Sequence, residues 1–132
     1  MPEVNFHDGS LVEWELDSKQ SLRLDIALDS AWNDGSDRTV SLRLAGISNL
    51  GEVRDWFLTL DRVMGFWKLF DQGLVAEGTE EPPERKPTVL YLGFFRDESG
   101  SLAALDLIYF GQVEILCRAI ECDEVCALPF VE

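Results

Sequence analysis

The chain has 132 residues, 46% hydrophobic and 27% charged, a balance that fits one globular core and excludes a disordered tail or a disulfide scaffold. Lys and Arg number 11 against 25 Asp and Glu, a formal charge of -14. Such a surface repels phosphate backbones and anionic membranes, and no stretch approaches the roughly 18 consecutive apolar residues of a spanning helix, so nucleic acid and membrane are excluded as partners.

At the start of the chain, Met1-Pro2-Glu3-Val4-Asn5-Phe6 shows neither the basic nor the apolar region of a secretory signal, and a cytoplasmic protein is expected. His7, the only histidine, precedes Asp8-Gly9. An imidazole beside a carboxylate is the usual general base, so a His-dependent enzyme would have to use this pair. In an extended segment neighbouring side chains point to opposite faces. The expectation is therefore that His7 and Asp8 do not bond to each other, that Asp8-Gly9 is a turn, and that Asp8 or Ser10 bonds local backbone.

Val12, Trp14 and Leu16 alternate with Glu13 and Glu15, and Leu22, Leu24, Ile26 and Leu28 alternate with Arg23 and Asp25. Period two predicts two half-buried antiparallel strands joined as a hairpin. Residues 29–37 form a polar loop in which Asp34-Gly35 suits a turn with positive φ. Aligning Gly35 with the sixth position of a calcium loop puts Trp32 at a ligand position, which excludes an EF-hand. Val40, Leu42 and Leu44 then predict a third strand of a meander.

From Asn49 the spacing changes. Leu50, Val53, Phe57, Leu60 and Met64 recur every three or four residues, with Asn49 as N-cap and Glu52 three residues on, which predicts a helix over 49–64. Trp56 to Leu60 also alternates as a strand would, and that alternative stays open. Beyond the helix, Trp67 and Phe70 are candidate aromatic anchors for a partner, against the plainer reading as core.

Residues 77–88, EGTEEPPERKPT, hold three prolines and six charged groups and read as a surface loop, ordered or not. Val89 to Phe95 and Leu102 to Phe110 read as a hairpin apolar on both faces and hence interior, and Val113, Ile115, Cys117 and Ala119 as one last long strand with Leu116 partly covered. Cys117, Cys122 and Cys126 lack the close pairs of a zinc site and read as reduced, partly buried thiols. Four acidic neighbours, Glu114, Glu121, Asp123 and Glu124, disfavour a thiolate there. Neither a phosphate-cradling glycine loop nor a nucleophile elbow occurs, so no cofactor, metal or catalytic residue is assigned.

Six mostly antiparallel strands in a sheet or sandwich, with one helix after the third, make a strand-rich α+β fold in a single domain over 1–132. Glu13, Glu15 and Asp25 on the polar face of the first hairpin, with Glu77, Glu80, Glu81 and Glu84 in the loop, form the candidate acidic surface. A basic protein is the partner such a surface suits. Self-association into a homo-oligomer, closing an apolar face or a sheet edge, is the second reading.

Phe6-His7-Asp8-Gly9-Ser10-Leu11 at the start and Phe110-Gly111-Gln112-Val113-Glu114-Ile115 leading to Ala119 near the end resemble a loose set of small uncharacterised bacterial proteins, some similar to immunity proteins of polymorphic toxin systems. The resemblance implies a strand-rich fold and a binding role without catalysis. It assigns no functional residue.

Overall fold

The alternating segments of the first third pair as an antiparallel meander of β1 (Ser10–Leu16), β2 (Leu22–Ala27) and β3 (Thr39–Ala45). Their even positions Leu22, Leu24, Ile26, Val40, Leu42 and Leu44 are all essentially without solvent exposure. Burying each is worth about 1.5–3 kcal/mol, so a one-residue slip, which would turn the whole set to water, is strongly opposed. The computed structural model describes residues 4–35, 38–82, 85–122 and 128–131.

A helix, α1 (Leu50–Asp71), follows β3. After it come β4 (Val89–Asp97), β5 (Gly100–Leu107), β6 (Gly111–Cys117), β7 (Ala119–Cys122) and the two-residue β8 (Phe130–Val131). Two four-stranded sheets result, in the orders β1-β2-β3-β7 and β6-β5-β4-β8. All pairs are antiparallel except β4 with β8. The architecture is thus the expected strand-rich α+β, with the helix after the third strand.

Two corners stitch the sheets together. The last long strand breaks at Arg118, so that β6 belongs to one sheet and β7 to the other, with Arg118 N–H donating to Ala45 O and Ser48 N–H to Leu116 O. At the opposite corner Leu11 N–H donates to Pro87 O and Val89 N–H to Gly9 O. Inside lies one continuous core in which Val53, Phe57 and Leu60 of α1 meet the strand residues above and Phe94, Leu105, Leu107, Val113 and Ile115.

Several details differ from the alternation read in the sequence. Val12 is half exposed, because β1 bulges between Leu11 and Glu13 and Leu11 takes the inward position. A second bulge between Val89 and Tyr91 turns both Leu90 and Tyr91 outward. A bulge adds one residue to one strand and so resets its facing, which simple period two cannot anticipate. Leu116 is exposed rather than covered, and β6 is an edge strand while β2 and β3 are interior. The helix runs seven residues past 64, and Asn49 makes no side-chain cap bond. Its amide instead accepts from Leu116 N–H (3.0 Å) and donates to Glu114 O (2.7 Å), sealing the free edge of β6.

Candidate functional site

Asp8 sits at φ +61°, a left-handed turn conformation that Asp tolerates better than most residues. The turn breaks the opposite-face rule for neighbours and brings His7 Nε2 to 3.5 Å from Asp8 Oδ1, correcting the expectation that the two stay apart. His7 Nδ1 lies 2.9 Å from Leu90 O, and the Trp32 ring stands edge-on to the imidazole at 5.1 Å. Trp32 Nε1 donates to Asp8 Oδ2 (3.2 Å), so Asp8 bonds a side chain across the loop rather than local backbone. Asn33 fastens this loop to the N-terminal segment, accepting from Asn5 N–H (3.0 Å) and donating to Asn5 O (2.9 Å). The cluster borders a cavity of about 440 Å³ shared with Leu90, Tyr91 and Pro129. His7 Nδ1 faces Leu90 O, His7 Nε2 faces Asp8 Oδ1, and the ring itself forms part of the cavity wall.

On the outer face of the first sheet, the register sets Glu13 beside Asp25 and Glu15 beside Arg23. Arg23 reaches all three carboxylates: Nη2 to Glu13 Oε1 at 3.1 Å, Nη1 to Glu15 Oε2 at 3.3 Å and Nε to Asp25 Oδ2 at 3.5 Å. Ser41 Oγ donates to Asp25 Oδ1 (2.5 Å). Glu13 and Glu15 are 66% and 64% exposed. Arg43, beside Arg23 in the register, and Glu121, beside Arg43, add one charge of each sign to this face, so the carboxylates still outnumber the guanidinium groups and the face keeps an excess of negative charge.

Glu77, Glu80 and Glu81 are exposed in the segment after α1, and no bond among the described residues joins them to this face. Glu84 and Cys126 lie outside the described residues.

Trp67 and Phe70 belong to the last turns of α1 rather than to a segment beyond it. Trp67 is only 7% exposed, with Phe66 and Phe70 packed on it and the Arg85 guanidinium 4.7 Å from its ring centre. Arg85 Nη2 also donates to both Asp71 carboxylate oxygens, at 2.5 and 2.7 Å. This clasp fixes the return of the loop onto the helix end and removes Trp67 from the surface. Phe70 stays partly exposed.

Burial pushes the Cys117 thiol up to about 11, so at neutral pH it is an inert core group. Cys122 is disulfide-bonded, which corrects the expectation of three reduced thiols.

Two features escaped the sequence reading. Arg23 was visible only as an alternating polar residue, although a tight connection over 17–21 already pairs it with Glu15. The second is a groove of about 480 Å³ between β1 and α1, lined by Trp14, Leu16, Leu50, Phe57 and Leu58 with Asp17, Arg54 and Asp61 among its polar groups. Trp14 Nε1 bridges it to the helix through Asp61 Oδ1 (2.6 Å). No single stretch of sequence signals it, because strand and helix contribute one wall each. The chain matches no protein-family model, no curated protein and no solved structure.

Proposed function

We propose that this chain is a non-catalytic, acidic binding protein that takes a basic protein as its partner. The observation that carries the reading is the outer face of the first sheet, where Glu13, Glu15 and Asp25 share one arginine and the two glutamates stay two-thirds exposed. An excess of carboxylates over arginines on one face of a sheet speeds the approach of a cationic partner and penalises anionic ones. The overall charge of -14 acts in the same direction at longer range. Neutralisation of a toxin-like basic domain is the finer form of the reading, in keeping with the resemblance to immunity proteins. A non-catalytic role fits the inert Cys117 thiol.

The test passes native lysate over the immobilised chain and over its Glu13→Lys/Glu15→Lys variant. Asp25 is spared because it is bonded to Ser41 and largely buried. A basic protein held by the wild type, released by salt and lost by the variant supports the role. Retention that ignores both salt and the reversal contradicts it, and a homo-oligomer by light scattering with no basic protein retained favours the self-associating module.

A further inference from the structure

The sheet edge beside the acidic face is open over a defined stretch. Asp17 N–H donates to Ser21 O (2.9 Å) at the hairpin end. Alternation from that bond makes Glu15 with Arg23 and Glu13 with Asp25 the hydrogen-bonded pairs, and turns the N–H and C=O groups of Trp14 and Leu16 away from β2. At the other end of β1 the outward groups are used, by Pro87 and Val89. Beyond the Val12 bulge, no described residue takes those of Trp14 and Leu16.

Three properties converge on this stretch. Its backbone offers free donors and acceptors two residues apart. On one side of the strand, the Trp14 and Leu16 side chains line the groove of about 480 Å³ whose other wall is α1, with Phe57 and Leu58. On the other side stand the exposed carboxylates of Glu13 and Glu15. We infer that the partner docks here by strand addition, as an extended segment that alternates basic and apolar residues. Its backbone pairs with Trp14 and Leu16, its apolar side chains enter the groove beside α1, and its basic side chains meet Glu13 and Glu15. The charges select the occupant. A second copy of this edge would set Glu against Glu, and like charges directly opposite across a strand pair are destabilising, so the edge rejects itself and admits a cationic strand. The inference rests on the reading that the partner is basic and names how it is held.

The test titrates the full chain with a short peptide of alternating lysine and valine, following amide hydrogen exchange. Two controls accompany it: the same composition in block order, and alternating threonine and valine. Expected are exchange slowed about tenfold or more at Trp14 and Leu16 with the alternating basic peptide, and no such slowing with the block peptide. Glu13→Lys/Glu15→Lys should weaken binding about tenfold. Leu58→Ser, on the exposed rim of the groove and remote from Arg23, should weaken it while leaving the carboxylates untouched.

Equal binding of block and alternating basic peptides without protection of Trp14 and Leu16 overturns strand addition and leaves the basic-partner reading standing. Equal binding and protection with the threonine peptide overturns the basic choice of occupant and leaves an edge that reads backbone and apolar side chains alone. Failure of every peptide to bind overturns both.

Discussion

Arg23 is where the charge balance of the first sheet is decided. It is one-third exposed, so solvent weakens each of its three ion pairs, and the network as a whole contributes about 1 kcal/mol rather than the sum of three buried bridges. Arg23→Gln should lower the urea unfolding free energy by about that amount. Added salt should narrow the gap, since the carboxylates left behind repel one another. Asp97 gives a second test, in the turn between β4 and β5. The Ser99 hydroxyl, then the N–H groups of Ser99 and Gly100, hold its carboxyl below the ordinary 3.8. A depressed folded-state value stabilises the fold above the unfolded value and loses that contribution as pH falls through the folded one. NMR titration should therefore find Asp97 ionising below 3.8, and Ser99→Ala should move its midpoint upward. Such pairings are partly legible in sequence: Asp97 two residues before Ser99 is an Asx-turn signal, and the Glu15–Arg23 pair follows from the short hairpin. The His7–Asp8 contact is not, because it depends on Asp8 adopting φ +61°.

At the scale of elements, the hydrophobic stripe located α1 but ended it at Met64. Gly65 follows, and glycine inside a helix costs up to about 1 kcal/mol relative to alanine, so the stripe alone gave no reason to continue. What carries the helix on to Asp71 is the cluster of its own Phe66, Trp67 and Phe70 and the clasp by Arg85 from across the loop. A Cβ at Gly65 meets nothing within 4 Å. Gly65→Ala should therefore stabilise the protein by about 0.5–1 kcal/mol in thermal or urea unfolding. The start of the helix answers to a different force. Asn49 has the residue type and position of an N-cap, yet its amide closes the edge of β6, where two backbone groups would otherwise lack protein partners. Asn49→Ala should cost about 1–2 kcal/mol and speed exchange of the Leu116 amide, an effect that loss of a helix cap alone would not produce. Nothing local in the sequence distinguishes the two roles, since both want a short amide before a helix.

For the whole molecule, period two and the helix period were enough to reach the fold class, because inward apolar positions in strands and helix carry most of the stabilisation. The joining of the sheets was not legible. It rests on backbone bonds at Arg118 and Leu11, and on bulges at Val12 and Leu90 that reset which residues face outward. Those same departures shape the candidate site: the bulge in β1 ends the pairing with Pro87 and opens the edge, beyond which ordinary alternation puts Glu13 and Glu15 on one face and Trp14 and Leu16 on the other. The charge was visible from composition, but its focus on a strand edge beside a groove needed the register. The proposed role rests on a basic partner meeting that focus. Its most direct test is the affinity of the retained basic protein for the wild type and for Glu13→Lys/Glu15→Lys, measured at about 0.05 and about 0.3 M salt, where the screening length shortens to well under half. Affinity that falls with salt for the wild type, and is weaker and less steeply salt-dependent for the variant, is the predicted result. Equal affinity for the two proteins at both salt concentrations would contradict it.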